Sequence, residues 1–362
     1  MVDQSQIEEI IKGLIDPYLE QDYVSCGSVQ SIEVDDQSIV VKLTLPYASG
    51  YFGGGVQQML QGQLASEFDD HKVSVEVDWL VRAQKTANNL PGLKGVKNII
   101  AVASGKGGVG KSTTSANLAL AMKQEGARVG LLDADIYGPS QGLMLGVAEN
   151  TRPETKDEKY FIPVEAHGLQ VMSMAFLVTD NTPMVWRGPM VSGALQQLLT
   201  QTLWDDLDYL IIDLPPGTGD IQLTLSQKVP VTASVIVTTP QDLALLDAKK
   251  GIEMFKKVNV PVLGVVENMS THICTNCGHE EPIFGEGGGD RIAAEYGTSL
   301  LGELPLSLSI REKADSGKPS VVDDPESPIA MMYLEIARRS MARLALQNQN
   351  QDEIPVIQMS DD

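Results

Sequence analysis

The sequence has few cysteines, few basic residues and no long apolar run, and each shortage excludes a class of protein. Only three cysteines occur in 362 residues, at positions 26, 274 and 277. This odd, sparse set does not form a disulfide framework and fits a reducing compartment. Lysine and arginine number 27 against 48 acidic residues, and the net charge of -21 disfavours binding to nucleic acids and to anionic membranes.

The sequence also lacks the signals that direct a chain into or across a membrane. No apolar stretch is long enough to span a bilayer, and the first residues have neither the basic start nor the apolar run of a secretion signal. We therefore expect a cytoplasmic protein with no membrane partner and no nucleic-acid partner. The composition, with 43% hydrophobic and 21% charged residues, is typical of a compact globular protein.

The chain is longer than one usual domain, and its N-terminal part predicts a small α/β domain over residues 1–81. Apolar residues at the three-and-four spacing of a helix alternate there with β-branched runs. The predicted elements are a helix from Ile7 to Leu19, a strand at 39–45, a helix at 56–68 and a strand at 73–79. Residues 82–97, rich in Asn, Pro and Gly, are predicted to form a linker.

From residue 98 onward, short apolar runs alternate with longer helical segments. This pattern is typical of strand-helix-strand units around a mostly parallel sheet that helices cover on both faces. We predict that residues 98–347 form this α/β domain, that its last helix runs from Pro328 to Gln347, and that residues 348–362 form an acidic, flexible tail. The strands are predicted at 99–103, 129–132, 209–212, 235–238 and 262–266.

A phosphate-binding loop, or P-loop, is predicted at Gly105–Ser112, between an apolar strand and a helix-forming run. Glycines let successive backbone N–H groups turn toward phosphate oxygens, and the helix N-terminus adds a favourable dipole. Lys111 is predicted to reach the terminal phosphates of ATP, and Ser112 to bind Mg²⁺. The nucleotide-binding residues expected here are Gly105, Lys106, Gly107, Gly108, Val109, Gly110, Lys111, Ser112 and Thr113.

The same glycines also match the Gly-x-Gly-x-x-Gly pattern of dinucleotide-binding folds, with Asp133 where such folds place a ribose-binding acid. Lys111 and Ser112 at the helix start, and a second acidic strand end at Asp213 in the form of a Walker B aspartate, favour the phosphate loop. We interpret Asp133 as part of the metal sphere and Asp135 as the residue that orients the attacking water. Acids at strand ends are also common solvated caps.

Lys106 is a second lysine at the start of the loop, where wrapping a phosphate does not require one. One interpretation is an exposed surface lysine. Our hypothesis is that Lys106 reaches the nucleotide of a second subunit and neutralises charge that develops during phosphoryl transfer. ATP would then hold a homodimer together.

Cys274 and Cys277 form a Cys-x-x-Cys pair in a polar segment. Two thiolates at this spacing can share one metal centre, and three interpretations compete. A redox disulfide lacks its thioredoxin-like context, a zinc site could recruit His272 and His279, and an iron-sulfur cluster needs four soft ligands. Two chains that meet at a twofold axis would supply four thiolates. Cys26 is interpreted as a small core residue.

Taken together, these motifs resemble a known family. Gly105–Ser112 resembles the deviant Walker A motif of the SIMIBI-class ATPases, which include MinD, ParA and the nitrogenase iron protein. Further matching segments narrow the resemblance to the Mrp/ApbC iron-sulfur cluster carriers. These segments are Asp133–Ser140, Asp213–Asp220, Glu267–Ser270 and the cysteine pair, while residues 1 to about 80, including Asp16-Pro17, resemble the MIP18-like domain fused to bacterial members.

The resemblance implies an ATP-hydrolysing homodimer that binds a labile [4Fe-4S] cluster through its Cys-x-x-Cys pairs and transfers it between assembly scaffolds and apo-proteins. It implies that Lys106 is the signature lysine, that Asp135 positions water and that Asn268 contacts adenine. Relatives of the small domain often carry a Cys-Pro after a strand that ends in Leu-Thr. Residues 43–48 have none, which argues against a metal role for this domain.

Two other functions stay open at this point. A positioning or partitioning ATPase related to MinD or ParA is opposed by the acidic C-terminus, since membrane-positioning relatives end in a basic amphipathic helix, and by the net charge of -21. A zinc-binding scaffold with a vestigial nucleotide site would use the same cysteines without transferring a cluster.

Overall fold

A computed structural model describes residues 2–177, 188–274 and 276–352. These residues divide into two compact units, one of residues 2–85 with 341–352 and one of residues 86–340. In the part of the chain that the structure describes, no helix combines the length and the apolar composition needed to cross a membrane.

The first unit contains a three-stranded sheet in which β4 is central, with β3 antiparallel and β5 parallel to it. Alternate residues of β4, from Ile39 to Leu45, are buried on one face because successive side chains of a strand point to opposite sides. Both predicted strands and the second predicted helix are present. The elements are α1 Gln4–Lys12, β1 Ile15–Asp16, β2 Gln21–Asp22, β3 Val29–Val34, β4 Ser38–Leu45, α2 Gly53–Glu67 and β5 Lys72–Trp79.

The predicted helix from Ile7 to Leu19 is wrong beyond Lys12, where α1 ends. The fully buried carboxylate of Asp16 accepts hydrogen bonds from the backbone N–H groups of Tyr18 and Leu19, at 2.8 and 2.9 Å. These later apolar residues are therefore buried by a turn organised around an aspartate side chain. Such a turn and a helix can produce the same apolar spacing over so short a stretch.

The second unit is built on a mostly parallel sheet. Among the described residues, nine strands form it in the order β10-β11-β7-β12-β6-β13-β14-β15, with β16 also paired to β14. Neighbours from β11 to β14 and the β14–β16 pair are parallel, whereas β10 and β15 are antiparallel. The strands of this unit, including the separate hairpin β8–β9, are β6 Val96–Ala103, β7 Val129–Asp133, β8 Thr155–Lys156, β9 Tyr160–Phe161, β10 Val164–Ala166, β11 Leu169–Ser173, β12 Leu207–Asp213, β13 Ala233–Thr238, β14 Val262–Ile273, β15 Glu280–Glu281 and β16 Leu300–Leu306.

Helices cover this sheet, and every residue of β7, β12 and β13 is buried. Burial on both faces is why these strands are continuous apolar runs, and it confirms the predicted α/β fold. The last helix ends at Asp352 rather than at the predicted Gln347, and residues 353–362 of the predicted tail lie outside the described residues. The helices are α3 Lys111–Gln124, α4 Gln141–Met144, α5 Gly188–Gln201, α6 Asp220–Lys228, α7 Asp242–Lys257, α8 Gly288–Tyr296, α9 Leu308–Asp315, α10 Ser320–Asp323 and α11 Pro328–Asp352. Residues 341–352 of α11 belong to the first unit.

The carboxyl ends of the central parallel strands meet at one edge of the sheet. Asp133 ends β7, Asp213 ends β12, and the two residues are partners in register. β6 ends at Ala103, immediately before the glycine-rich loop. Ligands of open α/β sheets bind in the crevice outside these strand ends, so the predicted site residues converge where a ligand site is expected.

Candidate nucleotide site and cysteine hairpin

The loop that connects β6 to α3 has the backbone form of an anion cradle. Gly108 and Gly110 have φ angles of +82° and +84°, a left-handed conformation that residues with a side chain rarely adopt. Gly110 is the N-cap of α3, and the first helical residue is Lys111. The N–H groups of the first helical turn have no partner within the helix, and they provide donors for a bound anion.

Two loop glycines also lack a side chain for packing reasons. A Cβ atom on Gly105 would overlap the backbone of Asp247 in α7, and one on Gly110 would overlap the side-chain amide of Asn268. That amide donates a hydrogen bond to the Val109 carbonyl at 2.9 Å. Gly105 and Asn268, both predicted to bind nucleotide, therefore also hold the loop against α7 and β14.

Lys111 and Asp213 form a buried ion pair. The Lys111 Nζ lies 2.5 Å from Asp213 Oδ1, and the Ser115 hydroxyl donates to the same oxygen at 2.9 Å. Asp213 is fully buried and Lys111 is 6% exposed. A buried carboxylate needs a counter-charge and hydrogen bonds to offset its lost hydration, and these two side chains supply both. The predicted loop lysine and the predicted Walker B aspartate thus lie in one site.

Gln141 is a site residue that the sequence motifs do not predict. Its Nε2 donates to Asp213 Oδ2 and to the Ser112 carbonyl, both at 2.9 Å, and its backbone N–H donates to Asp133 Oδ2 at 3.0 Å. The residue is fully buried and ties the first turn of α3 to two strand ends. Its only sequence signal is its place directly after Ser140, which does not distinguish it from a surface glutamine.

Asp133 lies beside Asp213 and is fully buried. Its Oδ2 accepts hydrogen bonds from the Ser140 backbone at 2.9 Å and the Ser173 hydroxyl at 3.2 Å. Burial, reinforced by the charge of Asp213, raises the pKa of Asp133 to about 7 against the opposing effect of Lys111. The site therefore favours the binding of additional positive charge near these carboxyl groups.

Ser112 and Thr113 follow in the first turn of α3, and both are half-buried. The Lys111 Nζ lies 3.3 Å from the Ser112 hydroxyl. Mg²⁺ prefers oxygen ligands, and the oxygens that this site offers are the Ser112 hydroxyl and the carboxyl groups of Asp133 and Asp213. The donor set fits the predicted metal.

Asp135 and Lys106 lie in the two loops that border the site. Asp135 is 9% exposed, and its Oδ1 accepts the backbone N–H groups of Tyr137 and Gly138 at 3.2 and 3.3 Å. Lys106 is half-buried and, within the described ranges, makes no ion pair. The hypothesis that Lys106 acts across a dimer stays a prediction.

The cysteine pair lies at the tip of a hairpin between β14 and β15. The Cys274 N–H donates to the His279 carbonyl, and the Gly278 N–H donates to the Cys274 carbonyl, both at 2.9 Å. The backbone N–H of Asn276, followed by that of Cys277, lowers the pKa of the Cys274 thiol. Cys277 is exposed. Backbone donors of this kind stabilise a thiolate, which is the form that binds metals.

Among the described residues, neither histidine considered as a zinc ligand joins the two cysteines in a group that could hold a metal. The His272 Nδ1 lies 3.4 Å from the Leu306 carbonyl, and His279 is exposed. Over residues 2–177, 188–274 and 276–352, no three His, Cys, Asp or Glu side chains converge as a metal-binding group. Cys26 is buried and lies 3.0 Å from the Ser28 hydroxyl, as expected of a core residue.

Glu267 is a buried carboxylate one residue before the loop-bracing Asn268. It is 1% exposed and accepts a hydrogen bond from the Gly289 backbone N–H. Burial raises its pKa, and the nearby Glu303 carboxylate, its register partner on β16, adds to the shift. The charged form of Glu267 is therefore disfavoured in the folded protein.

We expect Glu267→Gln to stabilise the protein at neutral pH by about 1–2 kcal/mol, the order of the penalty for an imperfectly satisfied buried group. The amide oxygen can still accept the Gly289 N–H. Because the folded-state pKa is raised above the ordinary value of 4.5, the parent loses stability as pH rises through the folded pKa. Urea unfolding should show the gain at neutral pH and little gain near pH 4.5.

Glu149→Gln, which makes the same change of charge at an exposed glutamate, is the matched control and should leave stability unchanged. A gain for Glu267→Gln that is equal at both pH values would contradict the raised pKa.

The chain matches two family models that together cover most of its length. Residues 95–341 match the model described as NUBPL iron-transfer P-loop NTPase. Residues 4–77 match the model described as iron-sulfur cluster assembly protein. Both matches agree with the resemblance that the motifs indicate.

Similar proteins and structures are consistent with these matches. An iron-sulfur cluster carrier protein of Pseudomonas fragi is 67% identical over 279 residues, which are 77% of this chain and 97% of that protein. One of Escherichia coli K12 is 51% identical over 337 residues, 92% of this chain and 90% of that protein.

Among solved structures, a nucleotide-binding protein of Archaeoglobus fulgidus in complex with ADP has a TM-score of 0.58 at 36% identity, and the match covers 66% of this chain and 93% of that one. The cell division ATPase MinD of Pyrococcus furiosus has a TM-score of 0.50 at 24% identity, covering 67% and 97%, and this likeness shows the fold alone. The match over residues 95–341 spans more than half of the chain, so the chain belongs to the NUBPL iron-transfer P-loop NTPase family.

Proposed function

We propose that this protein is an ATP-hydrolysing carrier that binds a labile [4Fe-4S] cluster through Cys274 and Cys277 and transfers it to apo-proteins. The observation that carries the proposal is the cysteine hairpin, where Cys277 is exposed and the Cys274 thiolate is stabilised by backbone N–H groups. A cluster bound there is accessible to a recipient. Membership of an iron-transfer family supports the identity of the cargo.

In this proposal ATP binds along residues 105–113, where the backbone N–H groups of the loop and of α3 hold its phosphates. Lys111 neutralises the terminal phosphates, and Asn268 contacts the adenine while it supports the loop from β14. The Ser112 hydroxyl, with the carboxyl groups of Asp133 and Asp213, would hold Mg²⁺ at this site. When bound, this ion withdraws charge from the phosphate oxygens.

Hydrolysis then depends on residues that place water and offset charge. Asp135 orients a water molecule toward the γ-phosphorus, a bond to the water oxygen forms, and the bond to the β–γ bridging oxygen breaks. The products are ADP and phosphate, and the proton passes to solvent. Lys106 of the second subunit offsets the charge that develops on the leaving oxygen.

A homodimer completes the cluster site, because one chain offers two thiolates at this hairpin and a [4Fe-4S] cluster takes four. Exposed apolar side chains support an interface on this side. Leu243 and Leu246 of α7 are 73% and 53% exposed, and Ile283, beyond the hairpin, is 51% exposed. Gly105 of the phosphate loop packs against the backbone of α7. Apolar groups beside both sites suit a surface that a second copy covers.

We place the protein in the cytoplasm. Its proposed partners are cluster-assembly scaffolds as donors and apo iron-sulfur proteins as recipients, while a net charge of -21 disfavours nucleic-acid and membrane partners.

Cluster transfer to a recipient tests the proposal. The protein is reconstituted with iron and sulfide without oxygen, purified by gel filtration, and mixed with apo-aconitase and an iron chelator. We expect it to elute as a dimer and to restore aconitase activity faster than equal amounts of unbound iron and sulfide. A protein that purifies with zinc and activates no recipient would overturn the carrier function.

A further inference from the structure

Strand β14 contacts the phosphate loop through Asn268 and leads to the cysteine pair at its end. Asn268, within the strand, donates its hydrogen bond to the Val109 carbonyl of the loop, and Cys274 follows the last strand residue, Ile273. Cys274 lies six positions after Asn268, which corresponds to at most roughly 20 Å along the strand. One strand therefore contacts the nucleotide site and holds the cysteine hairpin.

Between these two points the strand is irregular. Asn268 pairs with Leu304 of β16 and His272 pairs with Leu306, so β14 advances four residues where β16 advances two. Met269 lies at this irregularity with a φ angle of +59°. This left-handed conformation favours glycine and is rare for a residue with an unbranched apolar side chain. Bulges of this kind change the direction of the strand that follows.

Met269 is restrained by hydrogen bonds on both sides. Asn268 holds the Val109 carbonyl, and the Ser270 hydroxyl donates to the Leu304 carbonyl at 3.2 Å. Both flanking residues are buried. A disfavoured backbone conformation persists only where its surroundings impose it, and one of the two restraints here is the phosphate loop itself.

We propose that Met269 is a positioning residue that couples nucleotide binding to the placement of Cys274 and Cys277. Phosphate uses the N–H groups of the loop, so the Val109 carbonyl still accepts the bond from Asn268. Bound nucleotide orders the phosphate loop, and the ordered loop fixes Asn268 through the Val109 carbonyl. Fixing Asn268 stabilises the bulge at Met269, and this bulge sets the position of the cysteine hairpin. The coupling is reciprocal, and the bulge in turn sets nucleotide affinity. This inference rests on the proposed function and describes how its two sites communicate.

Substitutions with opposite backbone preferences test the coupling in the full-length protein without iron. Glycine adopts a positive φ freely, whereas isoleucine resists it. We expect Met269→Gly to bind ADP about fivefold more tightly and Met269→Ile about fivefold more weakly, each equivalent to about 1 kcal/mol. Without nucleotide, the alkylation rate of Cys274 and Cys277 in Met269→Gly should approach the rate of the ADP-bound parent.

Met269→Asn, which also tolerates a positive φ, repeats the glycine experiment without the added backbone freedom of glycine and should shift both readouts the same way. Alkylation is measured for each cysteine by mass spectrometry, with the buried Cys26 as internal reference. Met331→Ile, at a methionine that is 36% exposed in α11, is the matched control and should match the parent.

The coupling is overturned if ADP does not change the alkylation rate of the parent, or if the Gly and Ile substitutions shift ADP affinity in the same direction. None of these measurements uses iron. If the expected shifts in ADP affinity and alkylation rate are not found, the coupling is wrong and the carrier function is unaffected. A parent protein that binds no cluster would instead remove the carrier function and leave the response of the thiols to ADP intact.

Discussion

Replacing Lys111 with alanine is expected to slow ATP hydrolysis at least about a hundredfold, the scale of losing one preorganised charge-stabilising group. In the proposed mechanism this ammonium group neutralises the terminal phosphates. The substitution also leaves the buried Asp213 carboxylate without the cation that lies 2.5 Å away. We therefore expect a loss of about 3–5 kcal/mol of stability as well. Phosphate release at saturating ATP and urea unfolding measure the two effects.

Lys97→Ala separates catalysis from stability. Lys97 Nζ lies 2.7 Å from the buried Asp208, on the same strands β6 and β12 but near their opposite ends from the site. This control should lose stability and keep the parental turnover under conditions where it is folded. A Lys111→Ala protein that hydrolyses ATP at the parental rate would remove Lys111 from the mechanism. We also expect Lys111→Ala to bind a reconstituted cluster normally, since it leaves both thiols in place.

Replacing Cys274 and Cys277 together with alanine is expected to abolish cluster binding. In the proposed dimer each chain contributes these two thiolates, and no other side chain of the described residues joins them in a metal-binding group. Iron and acid-labile sulfide should fall to background after anaerobic reconstitution and gel filtration, and the visible absorbance of the cluster should disappear. ATP hydrolysis measured without iron should persist, because the P-loop is unchanged.

Cys26→Ala is the control for this experiment. Its thiol is buried in the first unit, and burial raises its pKa, so it is a poor ligand and its loss should not affect the cluster. A double-cysteine protein that retains iron and sulfide at the parental level would require other ligands and would end the assignment of this hairpin.

Sequence pattern predicts the fold best where burial is complete. β7 and β12 are buried along their whole length, so they stand out as apolar runs. The strand β16, Leu300–Leu306, contains glycine, glutamate and proline and was not predicted from such a run. At Tyr18 and Leu19 the apolar spacing of a helix comes instead from a turn around Asp16. The apolar pattern of a sequence shows which residues are buried, but different backbone conformations can bury the same residues.

The residues of the candidate site also divide into those that the sequence predicts and those that it does not. The phosphate loop is one short segment of the sequence and the cysteine pair is another, so the chemistry of each is recognisable from residue type and spacing. Contacts between distant segments are not, because they depend on which strands end side by side. The bond from Gln141 to Asp213, the brace from Asn268 to Val109, and the left-handed Met269 are of this kind.

The exposure of the cysteine hairpin also makes its thiols accessible to oxidants. Thiols that a recipient can approach are equally open to peroxide, and a lowered pKa increases the fraction of Cys274 that reacts. At this spacing an oxidised sulfur can be captured by its neighbour, which removes both ligands in one event and returns them when a reductant is supplied. In the proposed function, the capacity to deliver clusters would then fall when the cell is oxidised and recover with a reductant, without any loss of the folded chain.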